Sequence, residues 1–439
     1  MRKKIMVRAP ALTRTGYGEH ARYVLRALRQ VEDQYDIYLF PVNWGHSNWI
    51  WEDSEERKWL DSLIQKAVAY QQHTQTQKQP MQFDASIQIT IPNEWERIAP
   101  INIGITAGIE TTKVAPVWLE KSNLMDKIIV PSVHSQTILV KTHYEGVDRN
   151  TGQKAYLKCE RPVDVIPYPV KSYPDAKIDL KLNTKFNFLS VAQWGPRKNI
   201  KNTIRWFVEE FIDNPDVGLV VKMFAKGGSI IDRYAIEAKV DALLSKYSHR
   251  QCKVYLLHGD MTEEEMHALY SHPQIKAFVS LSHGEGYGLP HFEAAYSGLP
   301  IIAPKWSGYL DFLRRPIVDK KGHSKMKSCF ATVDYELKPV QEEARWEGVI
   351  EADSAWCFAE QGSYKMRLRE MHKDWGRFKK QASDLQKWIW ENFKEEDKLQ
   401  EIATIVGEVV GNSVTDREVD DLFNDLFTNE APTKARHVG

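Results

Sequence analysis

Between residues 281 and 300 the chain reads Leu281-Ser-His-Gly-Glu-Gly-Tyr-Gly-Leu-Pro-His-Phe-Glu-Ala-Ala-Tyr-Ser-Gly-Leu-Pro, an apolar strand running into a glycine-rich loop and then a short helix. Gly284, Gly286 and Gly288 let backbone approach a ligand closely and permit positive φ. Pro290 suits a first helical turn and Gly298 a helix end. Amides freed at such a helix start, together with the helix dipole, form a seat for a phosphate group. Two carboxylates accompany that seat, Glu285 in the loop and Glu293 on the helix. A carboxylate beside a phosphate is repelled unless it accepts hydrogen bonds from hydroxyls, which ribose and a hexose both supply. A nucleotide-sugar satisfies every part, with its diphosphate on the amides and its two sugar rings on the two glutamates.

The same string resembles the signature of the family 4 retaining glycosyltransferases, a Glu, seven residues and a second Glu in the setting Glu-Gly-Phe-Gly-Leu-Pro-x-x-Glu-Ala. Here it stands as Glu285-Gly-Tyr-Gly-Leu-Pro-His-Phe-Glu293-Ala. The resemblance implies the GT-B arrangement, two Rossmann-like lobes facing across a cleft. It implies Glu293 on ribose hydroxyls, Glu285 on the transferred sugar, and the amides of Gly286, Tyr287, Gly288 and Leu289 around the diphosphate. It also implies retention of configuration, no metal, and a departing phosphate that itself takes the acceptor's proton, so that Glu285 orients rather than abstracts.

A second element ends the strand opening lobe two, Phe188-Leu-Ser-Val-Ala-Gln-Trp-Gly-Pro-Arg-Lys-Asn. Two adjacent cations after a parallel strand and before a helix neutralise a leaving diphosphate, each charge-assisted contact contributing roughly 1.5 to 3 kcal/mol. The family places an Arg and a Lys there in a string like Val-Gly-Arg-x-x-Pro-x-Lys. Lys198 matches the Lys, Gln193 stands where the Arg is usual, and Arg197 is the residue able to fill the role.

In lobe one, Gly16-x-Gly18-x-x-Ala21 mimics a dinucleotide fingerprint. Several residues separate it from the strand end, and Asp36 precedes the second strand instead of closing it, so nicotinamide or flavin chemistry is set aside. In the family a glycine loop at this place closes over donor phosphates and acceptor, and Gly16 and Gly18 match it; His20 and Arg22 beside it read as structural. Ile103-Gly-Ile-Thr-Ala-Gly-Ile-Glu ends another strand. Where many family members carry a His, this chain offers Glu110, either orienting sugar or acceptor or stabilising a turn. The resemblance covers most of residues 1–410 and is most specific over 281–304.

Positioning these residues takes an α/β frame, and short apolar runs alternate with helical patterns throughout. Strands are expected at Lys4 to Val7, Ile37 to Phe40, Ile87 to Ile89, Asn102 to Thr106, Lys127 to Val130 and Asp164 to Pro167, with a helix at Glu19 to Leu28. Residues 171–184 are polar and turn-rich, suiting a linker. A second set follows, with strands at Phe186 to Val191, Gly218 to Phe224, Val254 to Leu257, Ala277 to Leu281 and Pro300 to Ala303, and helices between them. The expected division is an acceptor-side lobe over 1–178, a nucleotide-sugar lobe over 179–375, crossing helices over 376–411, and an amphipathic segment with a polar tail over 412–439. A Gln-rich loop is expected around Gln71 to Gln79, and no repeat of solenoid period is present.

The 439 residues allow two or three domains. Lys+Arg 59 against Asp+Glu 59 leaves no net field toward nucleic acid or anionic lipid, so such a partner needs a local patch. Arg314-Arg315 and the run from Lys320 to Lys327 are the candidates, against a solvated loop. No apolar run reaches the ~20 residues of a membrane span, and no secretory stretch follows the start, so a cytoplasmic protein is expected. Cys159, Cys252, Cys329 and Cys357 lack metal-ligand spacing and read as reduced, buried thiols. Trp44, Trp49, Trp51 and Trp59 crowd one region, for packing or for stacking on sugars or bases. No cofactor is expected beyond a UDP- or GDP-sugar as co-substrate. The acceptor hydroxyl belongs to a saccharide or lipid-linked glycan, with a modified DNA base, as in phage glycosyltransferases, as the alternative; a non-catalytic nucleotide-sugar-binding subunit is the alternative from another class. The acidic-apolar run beginning at Val419 packs on its own protein or docks to another chain.

Overall fold

The computed structural model describes residues 2–45, 47–147, 154–318 and 322–428, with the side chains of 412–428 outside the description. In the amino-terminal half the elements are β1 (Lys3–Ala9), α1 (Gly16–Arg29), β2 (Tyr35–Pro41), α2 (Glu55–Thr76), β3 (Ala85–Ile89), β4 (Ile101–Ile105), α3 (Pro116–Ser122), β5 (Lys127–Val130), α4 (Val133–Lys141), β6 (His143–Val147), β7 (Lys154–Lys158) and β8 (Val163–Val165). The second half holds β9 (Phe186–Gln193), α5 (Ile200–Glu210), β10 (Val217–Phe224), α6 (Ile230–Leu244), β11 (Lys253–Leu257), α7 (Glu263–Ser271), β12 (Ile275–Val279), α8 (Leu289–Tyr296), β13 (Ile301–Pro304) and α9 (Leu310–Leu313). It ends with β14 (Arg314–Val318), β15 (Ser324–Ser328), β16 (Ala331–Val333), β17 (Tyr335–Pro339), β18 (Ala355–Ala359), α10 (Gln361–Lys373), α11 (Trp375–Asn392) and α12 (Glu395–Thr428).

Each half is built on a six-stranded parallel sheet, ordered β2-β1-β3-β4-β5-β8 in lobe one and β11-β10-β9-β12-β13-β16 in lobe two. β3 and β4 are buried along their whole length, and β10 up to Phe224, the pattern of central parallel strands covered on both faces. Helices start where side chains replace missing backbone partners: Thr15 caps α1 by accepting from Gly18 N, Ser54 caps α2, and Thr262 with Glu265 forms a capping box on α7. The chain crosses between lobes twice. Residues 166–184 make the first crossing without regular structure, and the α11–α12 junction makes the second. Val170 N donates to Phe393 O at 2.8 Å, joining the two crossings side by side. α12 then lies on lobe one, where Val406 and Val410 are fully buried and Lys3 Nζ donates to Val410 O at 2.8 Å.

Several expectations change. The Gln-rich stretch is helical as far as Thr76, because Gln is a good helix former and Ser54 nucleates a long α2. Gly16 and Gly18 form the first turn of α1 rather than a loop. A Cβ on Gly18 would lie 2.0 Å from Thr13 O, so this glycine lets the helix start press on its own preceding loop. The 412 boundary falls inside α12, which continues to Thr428; residues 429–439 lie outside the described residues, as do Lys320 and Lys321 of the basic run. The rest of that run belongs to an antiparallel β14–β15 hairpin rather than a loop. Cys252, Cys329 and Cys357 are buried free thiols, while Cys159 is only half-buried.

Backbone packing joins the lobes. A Cβ on Gly284 would stand 1.8 Å from Glu110 O, and one on Gly286 would stand 1.9 Å from Ala107 O. Ser132 Oγ, at the start of α4, donates to Gly286 O at 2.6 Å, and Val133 N donates to Asp311 Oδ2 at 2.7 Å. Asn48 reaches Asp260 across the other rim at 2.8 Å. Gly286→Ala is expected to lower the urea midpoint by the equivalent of about 1 to 3 kcal/mol, since the clash is with backbone that cannot swing aside, and to speed proteolysis within 166–184. An unchanged midpoint would mean that the seam is open in solution.

Candidate functional site

Numbered within its own lobe, the second sheet runs 3-2-1-4-5-6, and its order reverses between β9 and β12. A crevice opens outside the carboxyl ends of two such strands, the usual ligand position in open parallel sheets. β9 leads into a single 3₁₀ turn, Pro196–Lys198, that presents Arg197 and Lys198, and β12 leads into the glycine loop and α8. His283 N donates to Arg197 O at 2.8 Å and ties the two loops together. Gly288 caps α8 at φ 93°, a left-handed conformation that glycine takes without a side-chain clash.

Four charges meet outside these two strand ends. Glu285 accepts from Arg197 Nη1 at 2.9 Å through Oε2 and from Lys198 Nζ at 2.6 Å through Oε1. Arg197 Nε also meets Glu110 Oε2 at 2.9 Å, so one guanidinium bridges a lobe-two and a lobe-one carboxylate. Burial alone would raise the Glu285 carboxyl, but Lys198, Arg197 and His291 hold it well below the usual carboxylate range. Burial does prevail at Glu110, pushed up to about 7 against the pull of Arg197 and with help from Glu285. Desolvation and the neighbouring Arg197 lower Lys198. Glu285 is thus a permanently ionised acceptor, and Glu110 a group poised to exchange a proton near neutrality.

Beside these charges lie the backbone N–H groups of Gly286, Tyr287, Gly288 and Leu289. None finds a protein acceptor among the hydrogen bonds of the described residues. Buried amides are normally satisfied, and four in succession at a helix start make a concave donor set for an anion. Leu289 also touches lobe one, its Cδ1 3.7 Å from where a Gly16 Cβ would stand. Gln193 is exposed at the end of β9 and donates to Ala225 O at 2.8 Å, apart from the charged group. Glu293 faces another neighbourhood, with Tyr270, Glu19, Glu263 and Lys171 around it, and burial pushes it up to about 7. Lys171, in the first crossing, pairs with Glu19 of α1 and, at 3.0 Å, with Glu263 of α7. His20 and Arg22 are buried, and Arg22 donates to Ala11 O and Thr13 O, shaping the loop before α1.

Sequence reasoning missed three side chains here. Ser307, at φ 109°, accepts from Glu285 N at 2.6 Å and donates to Glu285 O at 2.5 Å, fixing the loop residue that carries the carboxylate. A non-glycine residue so far into positive φ is strained, and such strain gathers at functional sites. His291 is fully buried against Tyr309, ring centroids 4.4 Å apart, with neither ring nitrogen hydrogen-bonded, and burial lowers it to about 4. Its place three residues after Gly288 was the one available signal. His283 stacks on Trp356 and holds Cys357 O at 2.6 Å through Nδ1, pinning the loop from beneath. Among the described residues no cluster of three or more His, Cys, Asp or Glu is disposed to hold a metal, and no helix is long and apolar enough to cross a membrane.

No protein-family model matches the sequence, and no similarity to a curated protein reaches significance. Solved structures do match in fold. Sucrose-phosphate synthase from Thermosynechococcus elongatus superposes with a TM-score of 0.59 at 13% identity, covering 94% of this chain and 100% of that one. HepE from Anabaena, in complex with UDP and glucose, gives 0.57 at 14% identity over 93% and 100%. The E. coli trehalose-6-phosphate protein bound with UDP-2-fluoro glucose gives 0.52 at 9% over 93% and 99%. The chain spans 60% of the pneumococcal O-GlcNAc transferase GtfA, at a TM-score of 0.45. At these identities the likeness defines the architecture: two Rossmann-like lobes in the GT-B arrangement.

The shift at Glu293 has a readable sign. Its carboxyl stands at about 7 in the folded chain against an ordinary 4.5, so its contribution to stability is full below 4.5 and is lost as pH rises through 7. Glu293→Gln, neutral at every pH, is expected to melt progressively higher relative to wild type as pH goes from 5 to 8. A constant difference in Tm across that range would place the titration elsewhere.

Proposed function

We propose that the protein is a glycosyltransferase that moves a sugar from a nucleotide diphosphate donor to an acceptor hydroxyl with retention and without a metal. The observation that carries this is the run of four unpartnered amides, Gly286 to Leu289, beside Arg197 and Lys198 at the switch point of lobe two. A diphosphate fits both halves of that set, taking hydrogen bonds from the amides and charge from the cations. The UDP and UDP-sugar complexes of HepE and the E. coli structure support a UDP-sugar as donor.

In this reading the glycosidic carbon–oxygen bond breaks toward the diphosphate, and charge building on that leaving group is stabilised by the amides of Gly286 to Leu289 and by Arg197 and Lys198. The acceptor oxygen bonds to the same carbon, and its proton passes to the departing phosphate. Glu285 stays ionised under Arg197 and Lys198, which makes it a poor base and a good acceptor for the hydroxyls of the transferred sugar. Glu293 takes the ribose hydroxyls. Glu110, on the lobe-one side, orients the sugar or the acceptor through hydroxyls other than the one that reacts. The interlobe seam excludes water, the competing acceptor.

Glu293→Ala is expected to weaken donor binding by roughly 10-fold or more, the loss of a pair of hydrogen bonds to a charged acceptor. Lys198→Ala is expected to lower turnover by ~10² or more with a smaller change in affinity, the cost of removing one transition-state donor. A thermal-shift panel of UDP-, GDP- and ADP-sugars reports binding, because a ligand held only by the native state raises Tm. Release of nucleoside diphosphate from the donor reports chemistry. Wild-type behaviour in both variants would defeat the assignment, and donor binding without release would identify a non-catalytic nucleotide-sugar-binding subunit.

A further inference from the structure

The β14–β15 hairpin takes no part in the donor chemistry, yet it carries an uncompensated charge pattern. Its register sets Arg315 directly opposite Lys327, with Lys325 two residues along the same face. Like charges opposed across a strand pair are destabilising unless an anion covers them. Among the described residues no ion pair engages Arg314, Arg315, Lys325 or Lys327. The only acid in 314–328 is Asp319, outside the described residues. Asp311, whose carboxyl feels Arg314, accepts from Val133 N. The Nε atoms of Arg314 and Arg315 are buried without an acceptor, while Lys325 and Lys327 are exposed.

The hairpin starts where the lobes meet. α9, whose Asp311 receives the Val133 N–H, runs straight into Arg314. α4, whose first turn holds Gly286 O, runs for about 13 Å at 1.5 Å per residue toward the β6–β7 hairpin of lobe one. There Tyr144 and Leu157 face the core, and the opposite face presents Lys154, Tyr156 and Lys158 to solvent together with Glu145 and Val147, Tyr156 being 53% exposed. Two ribbons, one from each lobe, therefore follow elements that meet at the seam, and each carries exposed lysines.

We propose that these ribbons, and chiefly Arg315, Lys325 and Lys327, dock the phosphate backbone of duplex nucleic acid, so that the acceptor hydroxyl is carried on that polymer. This rests on the glycosyl-transfer proposal for the acceptor, but the docking itself does not. Lys325 and Lys327 stand about 7 Å apart, two strand residues at ~3.4 Å each, with Arg315 across from Lys327; such a spacing suits a polymer of regularly spaced charge, and a two-stranded ribbon fits a major groove ~12 Å wide. A bilayer fits less well. The exposed apolar side chains Val318 and Met326 lie on the opposite face of the ribbon from Arg315, Lys325 and Lys327, so a membrane meeting one face would miss the other.

The test compares full-length wild type with the triple variant Arg315→Gln/Lys325→Gln/Lys327→Gln by fluorescence anisotropy on a 20-base-pair DNA duplex from 50 to 200 mM salt. Each phosphate contact contributes about 0.9 to the slope of log K against log salt, so the variant is expected to lose 2 to 3 from that slope and to bind at least 10-fold more weakly at 50 mM. Its Tm and its thermal shift with donor should match wild type, which separates failure of docking from failure of the donor site. Absence of duplex binding by wild type at 50 mM, or an equal slope in the variant, would overturn the proposal. So would tighter, triad-dependent binding to vesicles of anionic lipid than to duplex.

Discussion

One guanidinium holds the molecule's working parts in relation to each other. Arg197 touches Glu110 of lobe one and Glu285 of lobe two through different nitrogens, and Lys198 takes the other oxygen of Glu285. None of the four is stable there alone, because a buried unpaired charge costs several kcal/mol. With Glu110 ionised they sum to zero, and the seam between the lobes closes around them. The same arrangement sets the chemistry available: an anion arriving at the amides must compete with carboxylates for two cations. A diphosphate has the charge to do so, whereas a neutral sugar alone has not.

The close approach of the lobes follows from missing side chains as much as from present ones. Gly284 and Gly286 leave room for the carbonyls of Glu110 and Ala107, and Ser132 donates to Gly286 O in the space so made. Ser307, strained at φ 109°, then holds Glu285 by both backbone groups. The loop is therefore over-determined.

Much of this frame was visible in the amino-acid order, because parallel strands buried on both faces write themselves as short apolar runs. Eleven of the twelve strands of the two sheets fall within a few residues of where periodicity puts them, β16 (Ala331–Val333) being the one it does not show, and residues 171–184 stand out by their polar, turn-rich composition. The hairpins did not show, since β6–β7 and β14–β15 alternate too briefly and mix charge with apolar residues on both faces. In the site, the glycine loop and the Arg-Lys pair are local strings and so were legible. The link from Arg197 to Glu110 spans 87 residues of chain and two domains, and only the tertiary fold reveals it. Gly18 has a packing reason that its spacing does not show: a Cβ there would meet Thr13 O.

The two passages of chain between the lobes run side by side and share the Val170–Phe393 hydrogen bond. Two tethers fastened at one place leave a single swing axis, with little freedom to slide or twist. Contacts far from that pivot, from Asn48 with Asp260 to Ser132 with Gly286, must then break and form in concert. A substrate that prises apart any one of them opens the whole mouth, and one that seats correctly shuts it everywhere at once.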